Sequence, residues 1–595
     1  MECGDRSRRF ALSEPQLAPL SNDDRCSASC GSREAKRRLR SPHSIMSPMP
    51  DWSYRTFLRP VLFSLGPQRA CAVAVSTLST LSRLPLGPAT IDFLGHMRAD
   101  ERLRTRVGAI ELPGPIALGA MIDPCGAAVG AFARFGVGLI EVGPVDSNVD
   151  EVAHNLARVR TKIPICIRIA EGANAHAIAE RLQDRAAMFS VATADDVRAI
   201  GDLKPTLIRG EWVDGAAGVW IDRGEIPASL PSDALVVAGG VKQPEDVRRL
   251  LEAGANVVVI DQGLIDSGPG LVKRCNEALL STMTAAAEPE PLSLDAARRS
   301  WFWAFWLGVG MFFGGLLALA IASTRVVLPY DESMARMTRA HLEQLNPRLL
   351  PFMAHDRVSL AGTMLSIGIF YAALGWYGIR RGAHWAQVTV VMSAIAGFFT
   401  FFSFLGFGYF DPFHAFVTAV MLQFTLLCMV MQPSPVQSPI GEWTETAAWR
   451  RGQWGQLLFI LIGAGLTGAG LVITAIGCTA VFVHTDLAFM RTTAAELRRS
   501  YETLVPLVAH DRASLGGMLI ANGIAVWLSA QWGFRAGARW LWNALAIGGN
   551  LAFACALAVH FIVGYGALLH LAPAFAGWAA WNVALALTRG WLTAR

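Results

Sequence analysis

Charge is scarce in this chain. Only 17% of its 595 residues are Asp, Glu, Lys or Arg, and the formal net charge is +5. That balance is too weak and too dispersed for the basic stripe that nucleic-acid binding needs, so no nucleic-acid partner is expected. Cysteine is also sparse, ten residues without regular spacing. The one close pair, Cys26 and Cys30, has no further ligand types around it, which argues against a disulfide framework or a zinc knuckle. Residues 1–48 lack an apolar core segment, mix Ser, Arg and Pro without period, and read as a disordered basic terminus and not a secretory signal. Met46 and Met49 are alternative starts.

What the sequence has in abundance is apolar residues, 53%, unevenly placed. After Trp301, eight stretches are long enough to cross a bilayer: Trp301–Ala322, Val358–Gly378, Trp385–Phe407, Phe413–Met431, Trp454–Ile476, Ala513–Ala530, Trp540–Val563 and Leu568–Leu587. Internal comparison divides them in two. Leu350–Leu360 returns as Val505–Leu515, both carrying His-Asp-Arg, so that His355 meets His510 at an offset of 155. Asp331 meets Asp486, Arg336 meets Arg491 and Trp385 meets Trp540 at the same offset; Gly408-Tyr409 and His414 meet Gly564-Tyr565 and His570 at 156. Four spans per copy put both copies in the same orientation, a parallel repeat. The expected architecture is a disordered terminus (1–48), a helical extension (50–104), a barrel (105–285), a linker (286–300), a first four-helix repeat (301–435), a linker (436–453) and a second repeat (454–595).

Arg380-Arg381, Arg450-Arg451, Arg535 and Arg539 mark the cytoplasmic connections, and the Gly408–Pro412 and Gly564–Leu569 connections, without Lys or Arg, the opposite ones. An integral multi-pass protein with the barrel and both termini in the cytoplasm is expected, its partner the lipid bilayer. The long connections, about Ser323–Arg357 and Val481–Arg512, read as amphipathic helices ending at the His-Asp-Arg triplets. Those triplets have three readings. Asp caps the following helix while His and Arg sit among headgroups; or His355 faces His414, and His510 faces His570, as ligands for haem, metal or quinone or as a proton site; or the module transports a substrate. A dedicated metal centre is not expected beyond these four histidines.

Residues 105–280 alternate short apolar strands with helices: Ile116–Ala120, Gly138–Val142, Pro164–Ile169, Ala187–Val191, Thr206–Arg209, Val219–Asp222, Leu235–Ala238 and Val257–Ile260. Eight such strands suit a TIM-type (β/α)8 barrel. In it Gly239-Gly240 and Gln262-Gly263 occupy the last two βα turns, where backbone amides can cradle a phosphate.

The residues of this half carry a family likeness. Tyr54–Ala70, the PIALGAMIDPCG segment Pro115–Gly126, the GVGLIEVG segment Gly136–Gly143 and the stretch Val236–Leu280 resemble the membrane-associated, quinone-reducing dihydroorotate dehydrogenases. The resemblance implies an FMN-bearing barrel behind a small helical extension that forms the quinone entrance. It implies cofactor contacts at Ala120, Gly143, Arg209, Gly239, Gly240, Gln262 and Gly263, with Asp123 and Asn148 near the flavin edge and the substrate. The departures fall on chemistry. Pro124 stands for the family's lysine, Arg168 for an asparagine, and Asp222 or Arg223 for another; nothing near Ser190–Asp196 matches the serine-base loop, and Arg209 replaces a flavin-contacting lysine in kind. Loss of the base removes roughly 10²–10⁴ in rate. Two functions follow: an oxidoreductase feeding quinone, or a pseudoenzyme scaffold or sensor for a membrane transporter, haem- or quinone-binding module.

Overall fold

In the computed structural model, residues 51–95, 100–107, 110–227, 230–283, 294–402, 412–434, 445–500 and 503–594 are described. The basic terminus, the Cys26/Cys30 pair, most of the first linker and the end of the third span lie outside them.

Eight parallel strands close into a barrel: β1 (Ile116–Leu118), β2 (Leu139–Val145), β3 (Ile165–Ile169), β4 (Met188–Val191), β5 (Thr206–Arg209), β6 (Gly218–Ile221), β7 (Leu235–Val241) and β8 (Val257–Ile260), with β8 pairing β1. Their near-continuous β-branched and aliphatic runs suit strands buried on both faces. Inward positions alternate, so Ala117, Leu139, Cys166, Met188, Leu207, Trp220, Val237 and Val259 fill the lumen, and Leu112 from an N-terminal hairpin plugs its base.

Helices α1 (Pro67–Arg83) and α2 (Gly87–Gly95) form the extension, and α3 (Gly270–Met283) follows the barrel. The apolar half contains α4 (Ser300–Thr324), α5 (Leu349–Ala373, prolonged to Arg381), α6 (His384–Phe402), α7 (Pro412–Val430), α8 (Ala447–Cys478), α9 (Leu504–Gly533), α10 (Arg539–Val563 with a π turn) and α11 (Leu568–Leu592). Seven of the eight expected spans are long and apolar enough to cross a membrane among the described residues. The remaining one, Trp385–Phe407, corresponds to α6, and 403–407 fall outside the description. α5 and α9 are the centre, 67% and 78% buried, against 17–28% for the others.

The same contacts recur 155 residues apart. A Cβ on Gly308 would lie 2.2 Å from Ala372 N and 2.7 Å from Gly368 O; on Gly463 it would lie 2.7 Å from Trp527 N and 2.8 Å from Gly523 O. Small residues bring α4 onto α5, and α8 onto α9, backbone to backbone.

Three expectations are corrected. The long connections are not single amphipathic helices: each is two short ones, Pro329–Ala335 with Arg339–Leu345 and His484–Met490 with Ala494–Ser500, broken where Arg336 and Arg491 turn left-handed (φ 53 and 54). The central spans begin before the triplets, at Leu349 and Leu504, so Asp356 and Asp511 lie inside helices and cap nothing. Residues 447–453, expected as linker, are the first turns of α8, started by the Thr446 side chain accepting from Trp449 N–H at 3.1 Å.

The barrel rests on one end of the helical module. Glu445, just before α8, pairs with Arg55 and Arg274, and Arg274 also meets the fully buried Asp51. Phe93 O of α2 accepts from Gln531 (3.0 Å) and Trp532 (3.1 Å) of α9. Lys273 and Glu277 of α3 are buried near Arg535, which follows α9.

Candidate functional site

Two polar clusters stand out, one at the barrel mouth and one at the far end of the helical module.

Continuing the inward alternation two residues past the lumen layer predicts what lines the mouth: Gly119, Glu141, Arg168, Ser190, Arg209, Asp222, Gly239 and Asp261. Arg209 Nη1 donates to Glu141 Oε1 at 2.6 Å and lies 3.3 Å from Ser190 Oγ; its Nη2 pairs with Asp222, and its guanidinium stacks over Trp220. Glu141 also accepts from Ser190 Oγ (3.2 Å) and from Ala120 N–H (3.0 Å). Asp261 lies over Gly119, where a methyl would fall 1.6 Å from its carboxylate. Burial, with Glu141 and Asp222 close by, pushes the Asp261 carboxyl up to about 6. Because its folded value is raised, protonated Asp261 favours the fold at low pH, and that contribution disappears as pH rises through about 6. Asp261→Asn is therefore expected to raise the melting temperature at pH 8 and leave it unchanged near pH 4, read by thermal scans at both values.

The residues singled out beforehand divide. Arg209, Ala120, Gly143, Gly239, Gly240, Gln262 and Gly263 do ring the mouth. Gly143 (φ 125) approaches Arg168 O so closely that a Cβ would lie 2.3 Å away; Gly240 (φ 99) faces open space; Gly263 packs on Val241 O. Gln262 opens a six-residue helix after β8. Asp123 and Asn148 instead serve the backbone. The buried Asp123 accepts from Ala127 N–H (2.9 Å) and Ala128 N–H (2.7 Å), and Asn148 Oδ1 accepts from Asp146 N–H (2.9 Å). Sequence reasoning missed Glu141, Ser190 and Asp261. Period-two counting along β2, β4 and β8 would have found them.

The second cluster joins the two His-Asp-Arg triplets. Arg357 Nε donates to Asp511 Oδ2 (2.8 Å) and its Nη1 to Asp331 Oδ2 (2.7 Å); reciprocally, Arg512 Nε meets Asp356 Oδ2 (3.2 Å) and its Nη2 Asp486 Oδ2 (2.7 Å). Each arginine thus takes one carboxylate from its own copy and one from the other. Arg357 also donates to Val326 O at 2.5 Å, a carbonyl presented by a left-handed valine (φ 64), and Val481 repeats that conformation (φ 66).

The histidines cross over as well. His355 lies against His560 and His570, ring centroids 4.3 and 5.6 Å away, while His414 meets His510 at 5.4 Å. The expected pairs, His355 with His414 and His510 with His570, do not form, because the central helices α5 and α9 pack their triplets across the repeat boundary. His560 was the residue missed. It has no counterpart at the repeat offset and so gave no repeat signal. An apolar groove of about 730 Å³ between α4, α5 and α10, walled by Ala354, Val358, Val559 and Val563, runs beside this cluster.

No protein-family model matches the chain. Part of it is similar to dihydroorotate dehydrogenase (quinone): 39% identical over 95 residues to that of Chloroflexus aurantiacus, covering 16% of this chain and 26% of that protein, and 38% over 92 residues to that of Deinococcus deserti, covering 16% and 25%. The chain thus matches about a quarter of the length of these curated relatives. A solved structure, the ligand-free DHODH of Eimeria tenella, aligns with TM-score 0.30 and 14% identity over 36% of this chain and 95% of that one. The chain thus contains a stretch similar to part of dihydroorotate dehydrogenase (quinone), and it has helices apolar enough to cross a membrane.

Proposed function

We propose that this chain is a multi-pass membrane protein in which a dihydroorotate-dehydrogenase-like barrel no longer oxidises dihydroorotate and serves as the cytoplasmic base of a duplicated eight-helix module. The observation that carries this reading is the saturation of Arg209. Its guanidinium is held by Glu141 and Asp222, and the Ser190–Asp196 stretch offers no counterpart of the family's serine-base loop.

The fit of FMN to the mouth divides along the cofactor. At the phosphate end Gly239-Gly240 and Gln262-Gly263 offer amides with little side-chain obstruction. At the ring end the donors are already used: Ala120 N–H is bonded to Glu141, Arg209 is paired twice, and Asp261 lies across Gly119. A flavin ring seated there would strip partners from buried charges, at several kcal/mol each. The residues present therefore suit a phosphate-bearing ligand better than a whole flavin.

Positive residues at the docked end, Arg380, Arg450 and Arg535, support a cytoplasmic barrel. An exposed apolar stripe on the extension, Phe57, Val61 and Leu65, would then lie in the headgroup boundary beside the helices.

The second reading, electron transfer from the barrel to quinone, is favoured by that same stripe, since an apolar extension beside a barrel mouth suits a lipid-soluble acceptor. One assay separates them. Full-length protein in detergent, given dihydroorotate and a soluble ubiquinone analogue, is expected to show no quinone reduction above buffer. Turnover would overturn the scaffold reading and establish the second.

A further inference from the structure

We infer that His355, His560 and His570 form a binding site for one divalent transition-metal ion of the zinc type, built across the repeat boundary at the end of the module away from the barrel. The inference goes beyond the proposed function and does not rest on the barrel.

His560 Nδ1 lies 2.5 Å from Ala556 O, and a carbonyl only accepts, so Nδ1 carries the hydrogen. His355 Nδ1 lies 2.9 Å from Asp356 Oδ1, off the line of a hydrogen bond, and at that distance the carboxylate's negative charge disfavours a bare lone pair and favours hydrogen on Nδ1. Each neutral ring then presents a bare Nε2, and the two Nε2 atoms face each other at 2.9 Å. Two lone pairs at that distance repel unless a cation lies between them. The third imidazole selects a metal over a shared proton. His570 brings its ligand atom within 4.8 Å of both others, the spread that three nitrogens at about 2.0–2.1 Å from one ion reach after small side-chain shifts.

Metal-binding histidines are oriented by acceptors on their far nitrogens. Ala556 O serves His560, and the Asp356 carboxylate lies against the far nitrogen of His355 as a charge contact. His570 is stacked on Tyr565 at 4.6 Å and 16°, and Tyr565 OH donates to Asp486 at 2.8 Å. Asp356 and Asp486 are the two carboxylates that hold Arg512, so the ligand set is fixed to the cross-repeat network. Three neutral imidazoles suit zinc, copper or cobalt and leave the fourth position to water or an exogenous ligand.

The repeat is asymmetric at this site. The pseudo-equivalent cluster contains His510 and His414, but the residue matching His560 at offset 156 is Phe404. Copy one supplies no third imidazole, so a single site per chain is expected.

The test uses full-length protein in detergent, stripped with chelator and dialysed against Zn²⁺, with Co²⁺ as a spectroscopic probe of the same site. The expected result is one Zn²⁺ per chain and visible d–d bands with Co²⁺. His560→Ala and His570→Ala should each weaken binding about a hundredfold or more, beyond what loss of second-shell support alone costs, and His414→Ala should leave the stoichiometry at one. Because His560 is buried, the half-buried His570 is the decisive variant: its metal-free melting temperature should match the wild type while its metal-induced rise disappears. Absence of stoichiometric Zn²⁺ in the wild type, as a shared proton would give, overturns the proposal. So does Zn²⁺ retained at wild-type affinity by the His560→Ala, His570→Ala double variant.

Discussion

Arg357→Ala is expected to lower the stability of the detergent-solubilised protein by about 3–5 kcal/mol, among the largest effects of any single substitution in the helical module. The side chain is almost fully enclosed and holds Asp331 and Asp511 on two different copies. Its removal leaves two buried carboxylates facing each other without a cation, and frees the strained Val326 carbonyl that it also binds. Asp511→Ala should be nearly as damaging, since Arg357 then keeps only one carboxylate and the junction between α5 and α9 loses its reciprocal bond. The pair Arg357→Met with Asp511→Leu should cost less than either alanine alone, because apolar replacement removes the charges together and leaves fewer of them unpaired. Denaturant titration followed by tryptophan fluorescence measures all three. A double variant as unstable as the sum of the singles would show that the two side chains act independently.

Glu277→Ala is expected to have a comparable effect at the other end, on the seam between barrel and module. Glu277 and Lys273 are buried one turn apart on α3, with Arg535 close by. Burial pushes Glu277 up to about 7 and pulls Lys273 down to about 8, each partly restrained by the other. Deleting Glu277 leaves two cations in a desolvated seam, at about 3–5 kcal/mol, and this should appear as proteolytic release of the barrel before the helices unfold. Glu277→Gln is milder and pH-sensitive. The raised carboxyl favours the seam while protonated and loses that contribution as pH rises through about 7, so wild type and Gln variant should be most alike below pH 5. Limited proteolysis across pH 5 to 8 reads the difference.

The ends of the molecule differ in what crosses between them. From His355 to Arg380 the α5 helix rises roughly 37 Å at 1.5 Å per residue. The barrel and the histidine cluster are therefore separate centres, joined by α5 and α9, whose far ends carry the triplets; the near end of α9 meets the barrel's extension and the seam.

How much of this was legible beforehand varies with the kind of signal. All eight barrel strands were readable because a strand buried on both faces must be a short apolar run, as in Val257–Ile260, although β2 and β7 run three residues further than expected, to Val145 and Val241. The Gly-rich last turns were readable for the same local reason. The mouth layer was not, since Glu141 and Asp261 look like ordinary charges until their strands are closed into a ring and period-two alternation turns both inward. Asp123 attracted notice by its place in a motif, yet its carboxylate is spent on the backbone amides of Ala127 and Ala128.

The sequence by itself determined that two related helical units exist, because a repeated Leu-Pro-x-x-x-His-Asp-Arg pattern, with Val in place of Leu in the second copy, and matching Asp, Gly-Tyr and His positions survive as an offset that needs no coordinates. Which copy each residue serves was decided only by tertiary structure. Offset arithmetic pairs a residue with its likeness, whereas packing pairs it with whatever neutralises or accepts it. Once α5 and α9 lie together at the centre, Arg357 takes Asp511 of the other copy beside Asp331 of its own, and His355 meets His560, a residue the repeat does not duplicate.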